Sequence, residues 1–282
     1  MKLLITGAKG QLGHDITTYC KKTGITCIGA SHSELDVTER VAVDDFITLH
    51  HPDAVIHCAA YDSVDQAEEN EELCRAVNVE GTQNVALACK RVGAKMLYIS
   101  TDYVFDGEKP GIYDTEDAVG PLSVYGKSKA DGEKVVMELL DRYYIVRTSW
   151  LFGESGKNFV RTILNLAKAR KEITVVYDQV GSPTYTADLA PLLVNMAQNE
   201  KYGIYHATNE GFCSWAEFAK EIIKQSQLSC KVIPIKSSEY PTKAVRPKNS
   251  RLSKEKLLKE GFYKLPDWQD GLKRFLKQIG TR

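Results

Sequence analysis

Tyr125 and Lys129 stand four residues apart in the run Tyr125-Gly126-Lys127-Ser128-Lys129, a separation that puts both side chains on one face of a helix. A phenol has an ordinary pKa near ~10 and exchanges protons poorly at neutral pH. A lysine ammonium beside it stabilises the phenolate and lowers that pKa, so the pair could pass a proton to or from a carbonyl or alcohol oxygen. Upstream, Ser100-Thr101-Asp102-Tyr103 closes an apolar run, at the carboxyl end where open α/β sheets bind ligands. The Thr101 hydroxyl could hydrogen-bond the same oxygen that Tyr125 protonates. The bland alternatives are a helix with Tyr125 packed inward and Lys129 solvated, and Thr101 capping a turn.

A second motif names a ligand class. Gly7-Ala8-Lys9-Gly10-Gln11-Leu12-Gly13 reads G-x-x-G-x-x-G between an apolar run and an amphipathic segment. Glycines there permit a tight turn, a close approach of pyrophosphate to the backbone and tight helix–sheet packing, and the helix start offers free N–H groups to phosphate. An ordinary glycine turn is the competing reading. Dinucleotide folds usually carry a carboxylate for the adenosine ribose about 20 residues on. Here the second strand ends Gly29-Ala30-Ser31-His32, with neither carboxylate nor arginine, which leaves NAD and NADP both open. His32 reads better as a surface loop residue than as a phosphate ligand.

These residues need a scaffold, and the chain alternates strand-length and helix-length segments from its start. Lys2–Thr6, Thr26–Gly29, Ala54–Cys58, Lys95–Ser100 and Tyr144–Thr148 read as strands, and 10–22, 72–92 and 123–140 as helices. That rhythm predicts an α/β fold, a doubly wound parallel sheet of Rossmann type with a smaller C-terminal α/β lobe. Residues 1–149 form the dinucleotide-binding domain, segments near 173–206 return to it, and 150–282 make most of the second lobe. In that lobe only Ile173–Val176 and Ile204–His206 read as short strands, between Pro183, Pro234, Pro241, Pro247 and Pro266.

Composition narrows the function. With 282 residues, 43% of them apolar, the chain buries a core without metal or disulfide help. Its 37 basic and 37 acidic residues cancel, which argues against nucleic-acid binding by a basic surface. Seven cysteines, an odd number with no C-x-x-C pair, read as reduced thiols. The first residues hold too short an apolar run for a signal peptide, and none approaches the ~18 of a membrane span. A cytoplasmic protein is expected, with no membrane association.

Together, T-G-x-x-G-x-x-G at Thr6 to Gly13, Thr101 and the Tyr125/Lys129 pair resemble the extended short-chain dehydrogenase/reductases. More narrowly, His57 to Tyr61, Val64 to Glu68, Asn78, Ser100 to Gly107, Arg147 to Gly153, Asp178 to Thr184 and Arg246 to Ser250 resemble the dTDP-4-dehydrorhamnose reductase family over nearly the whole chain. The resemblance implies reduction of the 4-keto group of dTDP-4-dehydro-β-L-rhamnose by NADPH or NADH, the last step of dTDP-rhamnose synthesis for cell-surface polysaccharide. It implies Tyr125 as proton donor, Lys129 as partner of the nicotinamide ribose and Thr101 as orienter of the carbonyl. Gly7, Gly10, Gln11, Leu12, Gly13, Asp36, Val37, Ala59, Ala60 and Tyr61, with Tyr125 and Lys129, match cofactor-contacting positions. Thr101, Asp102, Trp150, Gln179, Arg246, Asn249 and Ser250 match substrate-facing ones, Arg246 toward the diphosphate.

Some family members hold Mg²⁺ at a dimer contact through glutamates, one of them in the first helix. His14-Asp15 lacks that glutamate, so no metal ligand is assigned and a homodimer stays open. Sugar-nucleotide epimerases share the glycine turn and the Tyr/Lys pair and remain alternatives, as does a non-catalytic regulatory subunit of the same fold. A dehydratase needs Asp-Glu after the threonine, and Tyr103 follows Asp102 here.

Overall fold

The computed structural model describes residues 1–281. Uninterrupted apolar runs make strands buried on both faces, and amphipathic segments between them make the covering helices. In chain order these are β1 (Lys2–Thr6), α1 (Gln11–Thr23), β2 (Thr26–Ala30), α2 (Arg40–His50), β3 (Ala54–His57), α3 (Val64–Ala67), α4 (Glu71–Arg75), α5 (Gly81–Val92), β4 (Lys95–Thr101), α6 (Val124–Leu139) and β5 (Tyr143–Thr148). There follow β6 (Leu151–Phe152), α7 (Phe159–Ala169), β7 (Glu172–Val176), β8 (Val180–Gly181), β9 (Thr184–Tyr185), α8 (Thr186–Ala197) and β10 (Gly203–His206). The chain ends with β11 (Cys213–Ser214), α9 (Trp215–Gln225), β12 (Lys231–Ile235), β13 (Asn249–Ser250), α10 (Glu255–Lys259) and α11 (Trp268–Gln278).

Six strands form one parallel sheet in the order β10-β5-β4-β3-β1-β2. One core, with Leu3, Ile5, Ile16, Leu97, Leu189 and Leu193, fills the face under α1 and α8. Another, with Leu4, Val43, Ile47, Val85, Met96 and Val136, fills the face under α2, α5 and α6. The doubly wound sheet is therefore as the alternation predicts. Its strand order reverses between β1 and β3, and the carboxyl ends of those strands open a crevice for ligand.

The second lobe has its own core of Val160, Ile163, Phe218, Ile222, Leu272 and Phe275, supplied by α7, α9 and α11. β10 joins the six-stranded sheet and α8 covers one of its faces, whereas Ile173–Val176 lies in β7 and pairs with β12. The helix expected over 72–92 is broken by a π-helical turn at Ala76–Glu80. There the Asn78 amide bonds the backbone N–H and carbonyl of Tyr61 at 2.8 and 3.1 Å and the Ser128 hydroxyl at 2.9 Å. Such bulges re-aim a side chain, often beside a functional site. All seven cysteines are free, and among the described residues no helix is long and apolar enough to cross a membrane.

Candidate active site

The glycine turn sits at the carboxyl end of β1. Gly7 has φ of 65°, and a Cβ there would lie 2.8 Å from the Ala59 backbone nitrogen, so the turn tolerates no side chain at this position. Gly10 caps α1 with extended backbone, no side chain bonds the cap, and the first turn holds no acidic residue. The N–H groups of Gln11, Leu12 and Gly13 thus face an open crevice with positive helix-dipole potential, which fits a dinucleotide diphosphate. The Gln11 side chain is spent elsewhere. Its carbonyl accepts from the Gly153 amide and the Asn158 side chain, each at 3.0 Å, and ties the turn to the second lobe.

The other expected cofactor positions divide. Ala60 lines the same cleft of about 390 Å³, while Ala59 donates its N–H to Thr6 Oγ1 at 3.2 Å and Tyr61 is held by Asn78. Asp36 accepts from the Thr38 N–H and hydroxyl at 3.0 and 2.8 Å, and Val37 is buried; both lie after β2, outside the cleft. The end of β2 is not free of carboxylate, as its own residues suggest. Glu34 folds back, accepting from the Ser31 N–H at 2.8 Å and the Ser31 hydroxyl at 2.6 Å.

Tyr125, Lys129 and Thr101 all line the cleft that holds the glycine turn. Ser123 caps α6 by accepting the Gly126 N–H at 3.1 Å, which starts the helix so that its first turns present Tyr125 and Lys129. Thr101 ends β4 and donates to Asp102 Oδ1 at 3.0 Å. Burial holds the Tyr125 phenol well above its ordinary pKa, the Asp62 carboxylate adds to this, and the nearby Thr101 hydroxyl opposes it. The expected depression by Lys129 is therefore not what this pocket produces. Burial also drives Lys129 down, to about 7, against the pull of Glu133 one turn on. Both groups pay for lost hydration, and the groups that most affect Tyr125 are acidic. The outcome is a protonated phenol, the form that a proton donor needs.

Asp102 is buried, and its pKa is pushed up to about 6 by desolvation against the Ser250 and Thr101 hydroxyls. Trp150 lies in the left-handed region, with φ of 50°, and its ring stacks on Trp215 at 3.6 Å and 12°. Beyond this stack a second cavity of about 730 Å³ opens between α7 and residues 237–248, and Trp215 and Arg246 border both spaces. Gln179 lines the larger cavity and donates to Ser237 Oγ at 2.9 Å. Arg246 pairs with Asp65 at 2.5 Å and donates to the Tyr103 hydroxyl at 2.9 Å. Asn249 and Ser250 border neither cavity. Asn249 donates to the Lys109 and Gly111 carbonyls at 2.6 and 2.7 Å, and the Ser250 hydroxyl works against the rise of the Asp102 pKa.

Residues that the spacing did not reveal are Asp62, Tyr103 and Trp215. Asp62 and Tyr103 directly follow the recognised stretches Ala59 to Tyr61 and Thr101-Asp102. Trp215 opens α9 and carries no local signal.

Among the described residues, His14, Asp15 and Glu154 bring ligand-type atoms within 4.8 Å of one another. Their groups are already partnered: Asp15 by the Thr186 hydroxyl and His14, and Glu154 by Gln278 at 2.5 Å. This donor set does not fit a Mg²⁺ site, which favours near-octahedral oxygen coordination.

A parallel sheet, an uncapped helix behind a glycine turn and a Tyr/Lys pair at the same crevice define a Rossmann-type NAD(P)H-dependent oxidoreductase. Within that class the chain belongs to the RmlD substrate binding domain family, which matches residues 1–281. It is 43% identical over 285 residues to a dTDP-4-dehydrorhamnose reductase of Aggregatibacter actinomycetemcomitans, covering 96% of this chain and 97% of that one. It is 37% identical over 277 residues to the spore coat polysaccharide biosynthesis protein SpsK of Bacillus subtilis, covering 98% and 97%. A solved dTDP-4-dehydrorhamnose reductase from Bacillus anthracis, in complex with NADP, superposes with a TM-score of 0.96 at 43% identity, covering 99% of this chain and all of that one.

Proposed function

We propose that this protein reduces the 4-keto group of dTDP-4-dehydro-β-L-rhamnose to give dTDP-L-rhamnose, with NADPH or NADH as reductant. The observation that carries the reading is that Tyr125, Lys129 and Thr101 share one cleft with the uncapped start of α1. When bound, the nicotinamide cofactor supplies hydride to C4. Tyr125 donates its phenolic proton to the C4 oxygen, and the Thr101 hydroxyl turns its own proton from Asp102 Oδ1 to the same oxygen and fixes its direction. Lys129 holds the nicotinamide ribose. Trp150 and Trp215 wall the sugar, and Arg246 meets the diphosphate at the mouth of the larger cavity. The reductase-named relatives and the NADP complex of the Bacillus anthracis protein support the substrate and the cofactor.

The test mixes purified protein, NADPH and dTDP-4-dehydro-β-L-rhamnose, follows loss of reduced-nicotinamide absorbance and identifies the C4 configuration of the product. Tyr125→Phe is expected to bind NADPH normally and lose most turnover. A folded wild-type protein that oxidises no cofactor overturns the reading in favour of a regulatory subunit. The C4-epimeric product overturns the substrate assignment.

A further inference from the structure

Arg246 borders both cavities, and its guanidinium is already held on two sides. One nitrogen pairs with Asp65 at 2.5 Å, and another donates to the Tyr103 hydroxyl at 2.9 Å. Asp65 also accepts the Ala244 N–H at 3.2 Å, and Lys243 pairs with Glu69, so the segment carrying Arg246 is tied to the first lobe around α3.

Tyr103 is fixed at three further points. Its N–H donates to Thr101 Oγ1 at 3.2 Å, and its carbonyl lies against the Cα of Gly126, where a side chain has no room. Its ring meets that of Tyr125 edge to face, with centroids 5.6 Å apart and planes at 75°. Contacts thus run without a gap from Asp65 through Arg246 and Tyr103 to Tyr125.

We propose that Tyr103 is a positioning residue that couples seating of the sugar nucleotide's diphosphate on Arg246 to the orientation of the proton donor Tyr125. This rests on the roles given to Tyr125 and Arg246 above. A diphosphate that engages Arg246 fixes the guanidinium, and with it the Tyr103 phenol and the ring packed on Tyr125. Binding energy gained far from C4 is then expressed in turnover as well as in affinity.

The experiment is steady-state kinetics with NADPH and dTDP-4-dehydro-β-L-rhamnose on the wild type, Tyr103→Phe and Tyr103→Leu, with the NADPH Kd measured for each. Tyr103→Phe keeps the ring but cuts its bond to Arg246, so KM for the sugar nucleotide rises about tenfold and kcat falls about threefold; an unchanged kcat overturns the coupling. Tyr103→Leu also loses the ring, so kcat falls by at least about tenfold. A merely structural residue would give no such split, and equal kcat values for the two variants overturn the proposal. If Tyr103→Leu fails to bind NADPH, the cycle of Tyr103→Phe with Arg246→Lys decides. Coupled effects on kcat support the proposal, and strictly additive ones overturn it. An inactive wild type defeats the underlying reading instead, which keeps the two failures apart.

Discussion

The Lys129 ammonium nitrogen stands 4.0 Å from the centroid of the Tyr98 ring, against which the buried His57 ring is stacked at 6.0 Å and 25°. The ring's electron-rich face favours the charged lysine, whereas burial favours the neutral one. Thr6, at the end of β1, bonds His57 Nδ1 at 2.7 Å, so the same stack reaches the strand that carries the glycine turn.

With Lys129 held down to about 7, chiefly by burial, the charged form of the free enzyme is lost as pH rises through that value. On the role proposed for Lys129 the ammonium is the form that holds the cofactor, so kcat/KM for NADPH is expected to fall above pH ~7, by up to about tenfold per pH unit. Lys129→Met should flatten this limb. Tyr98→Leu removes the favourable ring face and should move the midpoint about one pH unit toward acid, equivalent to about 1.4 kcal/mol. An unmoved midpoint in that variant would show that the ring does not support the charge.

Glu133 makes the second prediction. Its carboxylate takes two hydrogen bonds from Arg147, at 2.9 and 2.7 Å, and one from Ser100 at 2.5 Å, and both ionic side chains are only 3% exposed. Glu133→Gln leaves the Arg147 charge buried without its counterion, which costs about 3–5 kcal/mol. The substitution also removes the main support of the Lys129 charge, so the pH limb shifts toward acid. Urea unfolding at pH 7 checks the first effect, and a loss below about 1 kcal/mol would contradict it.

Cofactor choice turns on the loop after β2. Glu34 spends one carboxylate oxygen on Ser31, and Lys9 lies near enough to favour its charge. With a carboxylate and a lysine near the same strand end, NADH and NADPH should both support reduction, within about a hundredfold, or about 2.7 kcal/mol. Glu34→Gln removes a charge that repels a 2′-phosphate, so the ratio of kcat/KM for NADPH to that for NADH should rise severalfold. A ratio that falls would show that Glu34 does not face the ribose.

The parts of the site visible in the sequence are those set by local geometry. Tyr125 and Lys129 follow from helical spacing, and the glycine turn from a strand and a helix on either side of it. What the sequence hides is set by tertiary pairing. Gln11 bonds residues 142 and 147 positions away, and Arg246 meets Asp65 across 181. The π-turn at Asn78 is hidden because the partners that hold it, Tyr61 and Ser128, lie 17 and 50 positions away. The elevated Tyr125 pKa is hidden because burial, and not the visible lysine, decides it.

Acid stability supplies the last prediction, through a group outside the reaction. His206 is 1% exposed on β10 and packed edge-on to Phe105 at 5.8 Å. Burial, with the Arg147 charge adding, holds its pKa down to about 3, against ~6.5 in the unfolded chain. Between those values the unfolded chain binds the extra proton, so stability falls as pH drops from ~6.5 toward ~3, by up to about 1.4 kcal/mol per pH unit. His57, also at about 3 and chiefly through burial, adds a term of the same sign. Asp102, raised to about 6, opposes them between pH ~4 and ~6, where the folded chain binds the extra proton. His206→Leu keeps an apolar side chain in the site and removes one of the two histidine terms. Its neutral-pH stability should change by less than about 1.5 kcal/mol, while the slope of unfolding free energy against pH between 6 and 4 should drop by about 1.4 kcal/mol per unit. Urea midpoints across that range measure both quantities, and an unchanged slope would mean that His206 takes up its proton in the folded state.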